Sequence, residues 1–142
     1  MAIVRQLLRN KGNQVWTIQP SDSVLDAIRI MAERDIGALV VIEGNQPIGI
    51  LSERDYTRNV YLKGRTSPGT AVREIMSAPI VSAQLDDTVE ACMELMTERR
   101  IRHLPIVEYD KLVGLVSIGD LVKSIISEQE HVIEQLQLFI QS

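Results

Sequence analysis

Two copies of one spacing, Gly-x-x-Ser-x-x-Asp, hold the groups of this chain best suited to chemistry: Gly49, Ser52 and Asp55, then Gly114, Ser117 and Asp120. Each copy follows a strand-like apolar run and opens a helix. Free backbone N–H groups at a helix start attract an anion, and a serine hydroxyl there adds one more donor. A carboxylate three residues on can accept both hydroxyls of a ribose. The same spacing has a plain structural use. Serine caps the helix, aspartate favours its positive end, and glycine permits a tight crossing of strands. Spacing alone leaves both readings open.

Other chemistries find no residues to carry them. Cys92 is the single cysteine and falls on an apolar helix stripe, so neither a disulfide framework nor a thiolate metal site is expected. His103 and His131 stand 28 residues apart with no ligand cluster around them. Ser52 and Ser117 sit on no Gly-x-Ser-x-Gly elbow, and no P-loop signature occurs.

The elements that position the two motifs come from a duplication. Residues 23–56 realign on 88–121 at a constant offset of 65 without a gap, and ten of the 34 pairs are identical. Ordinary composition would give about two or three. Each copy reads as a short strand (Val15–Ile18; Ile80–Ser82), then a polar stop (Pro20-Ser21-Asp22-Ser23; Asp86-Asp87-Thr88), then an amphipathic helix. Val24, Ala27, Ile28 and Met31 fall at i, i+3, i+4 and i+7, and Val89, Cys92, Met93 and Met96 repeat the stripe. Two strands follow (Leu39–Glu43 and Ile48–Leu51; Leu104–Glu108 and Leu112–Val116), and a second helix opens near Ser52 and Ser117. Lys63 to Gly69 is the one obvious linker.

At 142 residues the chain forms one compact domain or two small units sharing a core. Its charge of −4 is unevenly spread, with nine Lys+Arg and seven Asp+Glu in residues 1–71 against six and twelve in 72–142. An acidic chain with few aromatics argues against nucleic acid as the main partner, and no apolar run approaches a membrane span. The first 21 residues hold Arg5, Arg9 and Lys11 but no acid, which resembles a transit peptide. Val4-Arg5-Gln6-Leu7-Leu8, however, echoes Val72-Arg73-Glu74-Ile75-Met76. The leader is therefore read as a folded part of the first repeat, and cytoplasm as the default location. In the tail, Val122, Ile125, Gln129, Val132, Leu136 and Phe139 recur at alternating three- and four-residue steps. Such a helix is expected to run past its domain and meet another subunit, giving a homodimer.

The Val-x-x-Ile/Leu-Met/Leu lead-in, the Pro-containing stop, Arg102-His103-Leu104-Pro105-Ile106-Val107 and the doubled Gly-x-x-Ser-x-x-Asp together resemble a tandem cystathionine-beta-synthase (CBS) domain pair, a Bateman module, over about residues 1–125. The resemblance implies an α+β fold of two β-α-β-β-α repeats related by a pseudo-twofold, with clefts between them and here an extended C-terminal helix. Residues 1–65 would be repeat 1 with its lead-in helix, 66–127 repeat 2, and 128–142 a helical extension. It further implies a non-catalytic sensor of adenosine-containing ligands: AMP, ADP, ATP, S-adenosylmethionine or NAD(H).

By the same resemblance Asp55 and Asp120 would hold ribose diols, with Ser52 and Ser117 near phosphate or ribose. Thr17 and Ser82 would border the adenine. Gly37-Ala38-Leu39 and Arg102-His103-Leu104, followed by Pro105, would line the base and phosphate path. Arg54, Arg102 and His103 would converge on one anionic centre. Such pairs regulate an attached enzyme or transporter, so here the target is expected to act in trans. The rivals are a dimerising scaffold with vestigial clefts and a nucleotide hydrolase, the latter lacking a visible metal site or general base.

Overall fold

The computed structural model describes residues 2–141, and its backbone repeats the helix caps and strand-to-helix turns of the duplication. The elements are α1 (Val4–Lys11), β1 (Thr17–Ile18), α2 (Val24–Arg34), β2 (Ala38–Glu43), β3 (Gln46–Ser52), α3 (Glu53–Tyr56), α4 (Val89–Arg99), β4 (His103–Glu108), β5 (Lys111–Ser117) and α5 (Ile118–Gln141). The fold is α+β: a β-α-β-β-α first copy, a second copy that keeps the α-β-β-α part, and a long C-terminal helix. The chain divides into two compact units. One holds residues up to Asn13, Ser82–Glu108 and everything from Gly114; the other holds Gln14–Val81 and Tyr109–Val113.

In the second of these units β1 pairs parallel with β2, and β2 antiparallel with β3. Helix α2 starts where the polar stop ends: Ser23 Oγ accepts from Asp26 N at 3.1 Å, and Asp22 Oδ2 from Gln19 N at 3.0 Å. Its stripe of Val24, Ala27 and Met31 is buried with Ile18, Leu39, Val41 and Leu51. The helix ends at Asp35 in the left-handed region (φ 54°). After β3, α3 makes a single turn and widens into a π turn at Thr57–Tyr61, with Leu62 N reaching Thr57 O at 3.0 Å. The predicted linker is ordered. Leu25 N donates to Ser67 O at 3.1 Å, Tyr56 Oη lies 3.0 Å from Ser67 Oγ, and Thr70 is buried with its hydroxyl on Thr66 O.

The other unit repeats these devices. Thr88 Oγ1 accepts from Ala91 N at 3.0 Å, Asp87 Oδ2 from Gln84 N at 2.8 Å, and Arg100 closes α4 at φ 56°. Val89, Cys92 and Met96 are buried on the α4 stripe. One expected element is missing. Ile80–Ser82 forms no strand; only Ala83 bridges to Ile106. The cause is Pro105, which stands where copy one has Val40. Val40 donates its N–H to Trp16 O at 3.3 Å, and proline has no N–H to do the same. β4 and β5 form a two-stranded sheet, turned at Tyr109 and Asp110 (φ 49° and 63°), the positive-φ pair of a type I′ turn.

The lead-ins are folded, and each docks on the opposite copy's stop. Val4 N and Arg5 N donate to Asp87 O and Leu85 O (2.9 and 2.8 Å), and Arg5 pairs with Asp86 at 3.0 Å. Val72 N and Arg73 N make the matching bonds to Asp22 O and Pro20 O (2.9 and 3.0 Å). The motif glycines admit these segments. A Cβ on Gly49 would lie 2.7 Å from Ser77 O, and one on Gly114 would lie 2.7 Å from Leu8 Cδ1.

Candidate functional site: two Ser-Asp turns at strand-to-helix junctions

Each motif folds into a closed hydrogen-bonded turn. In copy one Ser52 is the N-cap of α3: its Oγ accepts from Asp55 N at 3.2 Å, while Asp55 Oδ2 accepts from Ser52 N at 2.9 Å and from Ser52 Oγ at 3.0 Å. This is a capping box with aspartate in the role usually taken by Glu or Gln. Ala38 pairs with Ser52 across the sheet, and Glu53 N donates to Gly37 O at 3.0 Å. Gly37, Ala38, Ser52 and Asp55 are therefore brought together. Thr17 pairs with Val40, two residues further along β2. It also lines a hollow of about 690 Å3 with Ile18, Asp22, Asn45 and Lys111. Leu39 is fully buried in the core, and Arg54 is exposed.

Copy two keeps the turn: Asp120 Oδ2 accepts from Ser117 N at 2.8 Å, and Asp120 N donates to Ser117 Oγ at 3.1 Å. Ile118 N donates to Arg102 O at 3.0 Å, the counterpart of the bond from Glu53 to Gly37. Arg102 is exposed at the head of β4, His103 half-buried, and Leu104 and Pro105 buried. Ser82 is exposed beside Ala83, whose N–H donates to Pro105 O at 3.0 Å.

The two turns differ in one residue that spacing did not single out. Lys11 Nζ, at the end of α1, donates to Asp120 Oδ2 at 2.5 Å and to Leu115 O at 2.6 Å. Partial burial pushes the Asp120 carboxyl upward, but the Lys11 hydrogen bond, the Ser117 N–H and the Lys11 charge outweigh it and hold the group below the ordinary aspartate value. Lys11 lies beyond the part of the lead-in that echoes in copy two, so no repeat comparison could have flagged it. Asp55 has no such cation among the described residues. Lys11 and Asp120 border a groove of about 850 Å3 between α1 and α5, with Arg9, Lys123 and His131 on its walls. No group of three or more metal-ligating side chains gathers among the described residues. No helix is long and apolar enough to cross a membrane.

Chemically, each turn presents an aspartate at a helix start beside a serine hydroxyl, and the first has Oδ1 without a hydrogen bond from the described residues. That arrangement can accept hydrogen bonds from paired hydroxyls of a ligand. It also satisfies its own backbone, so each turn stands without one.

Known proteins share this frame. A structure from Burkholderia ambifaria described as a putative signal-transduction protein with CBS domains superposes with a TM-score of 0.85 at 46 % identity, covering 90 % of this chain and 96 % of that one. The mitochondrial CBS domain-containing protein CBSX3 of Arabidopsis thaliana is 36 % identical over 135 residues, 92 % of this chain; the chain spans 65 % of that relative's length. The CBS domain pair of protein MJ0100, solved with 5′-methylthioadenosine and S-adenosyl-L-methionine, shares the fold at a TM-score of 0.79 and 20 % identity, covering 90 % of this chain and 98 % of that chain. The CBS domain model matches twice, over residues 4–61 and 72–127, and the chain belongs to the CBS domain family as a tandem pair.

Proposed function

We propose that this CBS pair is a non-catalytic regulatory module that binds an adenosine-containing ligand and acts on a protein target in trans. The observation that carries the reading is the repeated Ser-Asp turn, an aspartate fixed at a helix start with a hydroxyl beside it. Asp55 and Asp120 take the ribose hydroxyls, Ser52 and Ser117 the ribose or phosphate. Thr17, Ser82, Gly37, Ala38, Leu39, Leu104 and Pro105 border the base, and Arg54, Arg102 and His103 serve the phosphates. The adenosine ligands of the MJ0100 pair support this class. AMP, ADP, ATP, NAD(H) and S-adenosylmethionine are the candidates, and a ligand regulates only by favouring one arrangement of the chain over another. The module works in the cytoplasm as a homodimer joined through its C-terminal helix.

The test is a thermal-shift and calorimetric screen of those ligands on wild type, Asp55→Ala and Asp120→Ala, using protein stripped of co-purified nucleotide. Ligand at 100 times its Kd stabilises the native state by about 2.7 kcal/mol. A shift abolished by one aspartate variant supports the reading. No shift with any ligand overturns it. One observation favours the alternative of a dimerising scaffold: the Ser52–Asp55 turn closes on itself, as structural caps do.

A further inference from the structure

Copy two carries an occupant of its own at the Ser-Asp turn. Lys11 Nζ donates to Asp120 Oδ2 at 2.5 Å and to Leu115 O at 2.6 Å. The counterpart of Leu115 in copy one is Ile50, whose carbonyl accepts from Ser77 N at 2.9 Å. The difference begins in the lead-ins. After Ala71 the chain makes a three-residue helical turn and then bridges to β3, so a backbone N–H meets Ile50. After Ile3 it winds an eight-residue helix, and the last side chain of that helix covers both the carbonyl and the carboxylate.

The two carboxylates are therefore unequal acceptors. Asp55 Oδ2 takes its hydrogen bonds from Ser52 N and Ser52 Oγ, both uncharged, and the hydroxyl is free to rotate away. Asp120 is neutralised by an ammonium. A hydroxyl on an ionised carboxylate is held roughly twice as strongly as one on a neutral acceptor, so pairing with Lys11 removes much of what a ribose would gain there.

We propose that Lys11 gates the second turn: a ribose reaches Asp120 only by displacing the ammonium, so the Ser52–Asp55 turn fills first and binds more tightly. The proposal rests on the adenosine-ligand reading and makes its two sites unequal. Lys11 can leave without unfolding its helix, because its side chain is 36 % exposed and borders the groove of about 850 Å3 between α1 and α5. Despite its burial, Asp120 titrates below the ordinary aspartate value, so the pair is intact at neutral pH when a ligand arrives. A Lys11 with a purely structural role behaves otherwise: its removal loosens α1 and leaves binding at Asp120 unchanged or weaker.

The test is titration calorimetry in an Asp55→Ala background, where only the second turn remains. One probe is 5′-methylthioadenosine, which has the ribose hydroxyls and no phosphate onto which the ammonium could move; the other is AMP, which has one. Asp55→Ala/Lys11→Met should bind 5′-methylthioadenosine about fivefold more tightly than Asp55→Ala, the upper end of what a partly exposed ion pair holds, and AMP by a smaller factor. Lys11→Arg, which keeps the cation, should give no such gain. Unchanged or weaker binding of both probes by the Met variant, or an equal gain with Arg, overturns the gate. Should Asp55→Ala not fold, Lys11→Met alone should raise the ligand bound per chain from one to two at the same ligand concentration, and an unchanged ratio overturns the gate. If wild type binds neither probe the gate also falls, and the wider ligand screen decides separately whether the adenosine reading falls with it.

Discussion

Gly49 and Gly114 occupy equivalent places in the repeat, yet the same substitution should cost very different amounts. A Cβ on Gly49 meets Ser77 O at 2.7 Å, Met76 Sδ at 3.3 Å and Ala78 Cβ at 3.6 Å. The nearest atom is main chain, and it belongs to the bridge in which Ile50 N donates to Ser77 O and Ser77 N to Ile50 O. Relief requires that bridge to open. Losing two backbone hydrogen bonds at about 1 kcal/mol each, with about 1–2 kcal/mol of overpacking, outweighs the ~0.5–1 kcal/mol that alanine gains over glycine in a strand. Gly49→Ala should therefore lose about 2–3 kcal/mol.

At Gly114 the clash is with the end of the Leu8 side chain, Cδ1 at 2.7 Å and Cδ2 at 3.0 Å. A rotamer change relieves it, and the net loss should be about 1 kcal/mol. Urea unfolding followed by circular dichroism and Trp16 fluorescence measures both. Adding Leu8→Ala supplies the discriminating control. It should couple favourably with Gly114→Ala, the double variant falling at least 0.5 kcal/mol short of the summed losses, and should add in full to Gly49→Ala. Equal losses at the two glycines, or full additivity at Gly114, would refute the reasoning.

Asp120→Asn should cost about 1 kcal/mol at pH 7, from the weakened cap and the lost Lys11 partner, both partly exposed. Because the folded carboxyl titrates below its unfolded value of about 3.9, the stabilisation is complete above that pH and fades as pH falls through the lower folded value. Urea midpoints at pH 7, 5 and 3 should show wild type and variant converging only at the acid end, and a constant gap would contradict the assignment. Burial first, and then the Asp87 charge, push the Cys92 thiol up to about 11. Reaction with a disulfide reagent at pH 8 should be at least about 100-fold slower in the native protein than in urea, and equal rates would show the thiol to be accessible.

What could be read from the chain beforehand was what repeats locally. Ser23 and Thr88 cap, Val24 and Val89 start buried stripes, and Ser52 and Ser117 end strands, because each depends on neighbours within a turn or two. The losses came from partners far along the chain. Pro105 looks like an ordinary strand residue until the donor its counterpart supplies to Trp16 is counted, and the strand at Ile80–Ser82 disappears with it. Lys11 looks like leader basicity until helix α1 brings it to Asp120. Lys63–Gly69 has a linker's composition, yet Thr70 and Ser67 tie that segment down.

The docking of each lead-in on the opposite stop separates the unit of heredity from the unit of folding. A gene encoding one copy would make a chain whose lead-in has no dock of its own; two such chains would be complete only by trading lead-ins. Joining the copies in one chain turns that exchange into an internal one, in which Val4 must wait for Asp87 and Val72 finds Asp22 already made. On the ribosome the first helix to emerge is thus among the last to be held, and severing the chain at Lys63–Gly69 would leave two fragments that regain their structure only together.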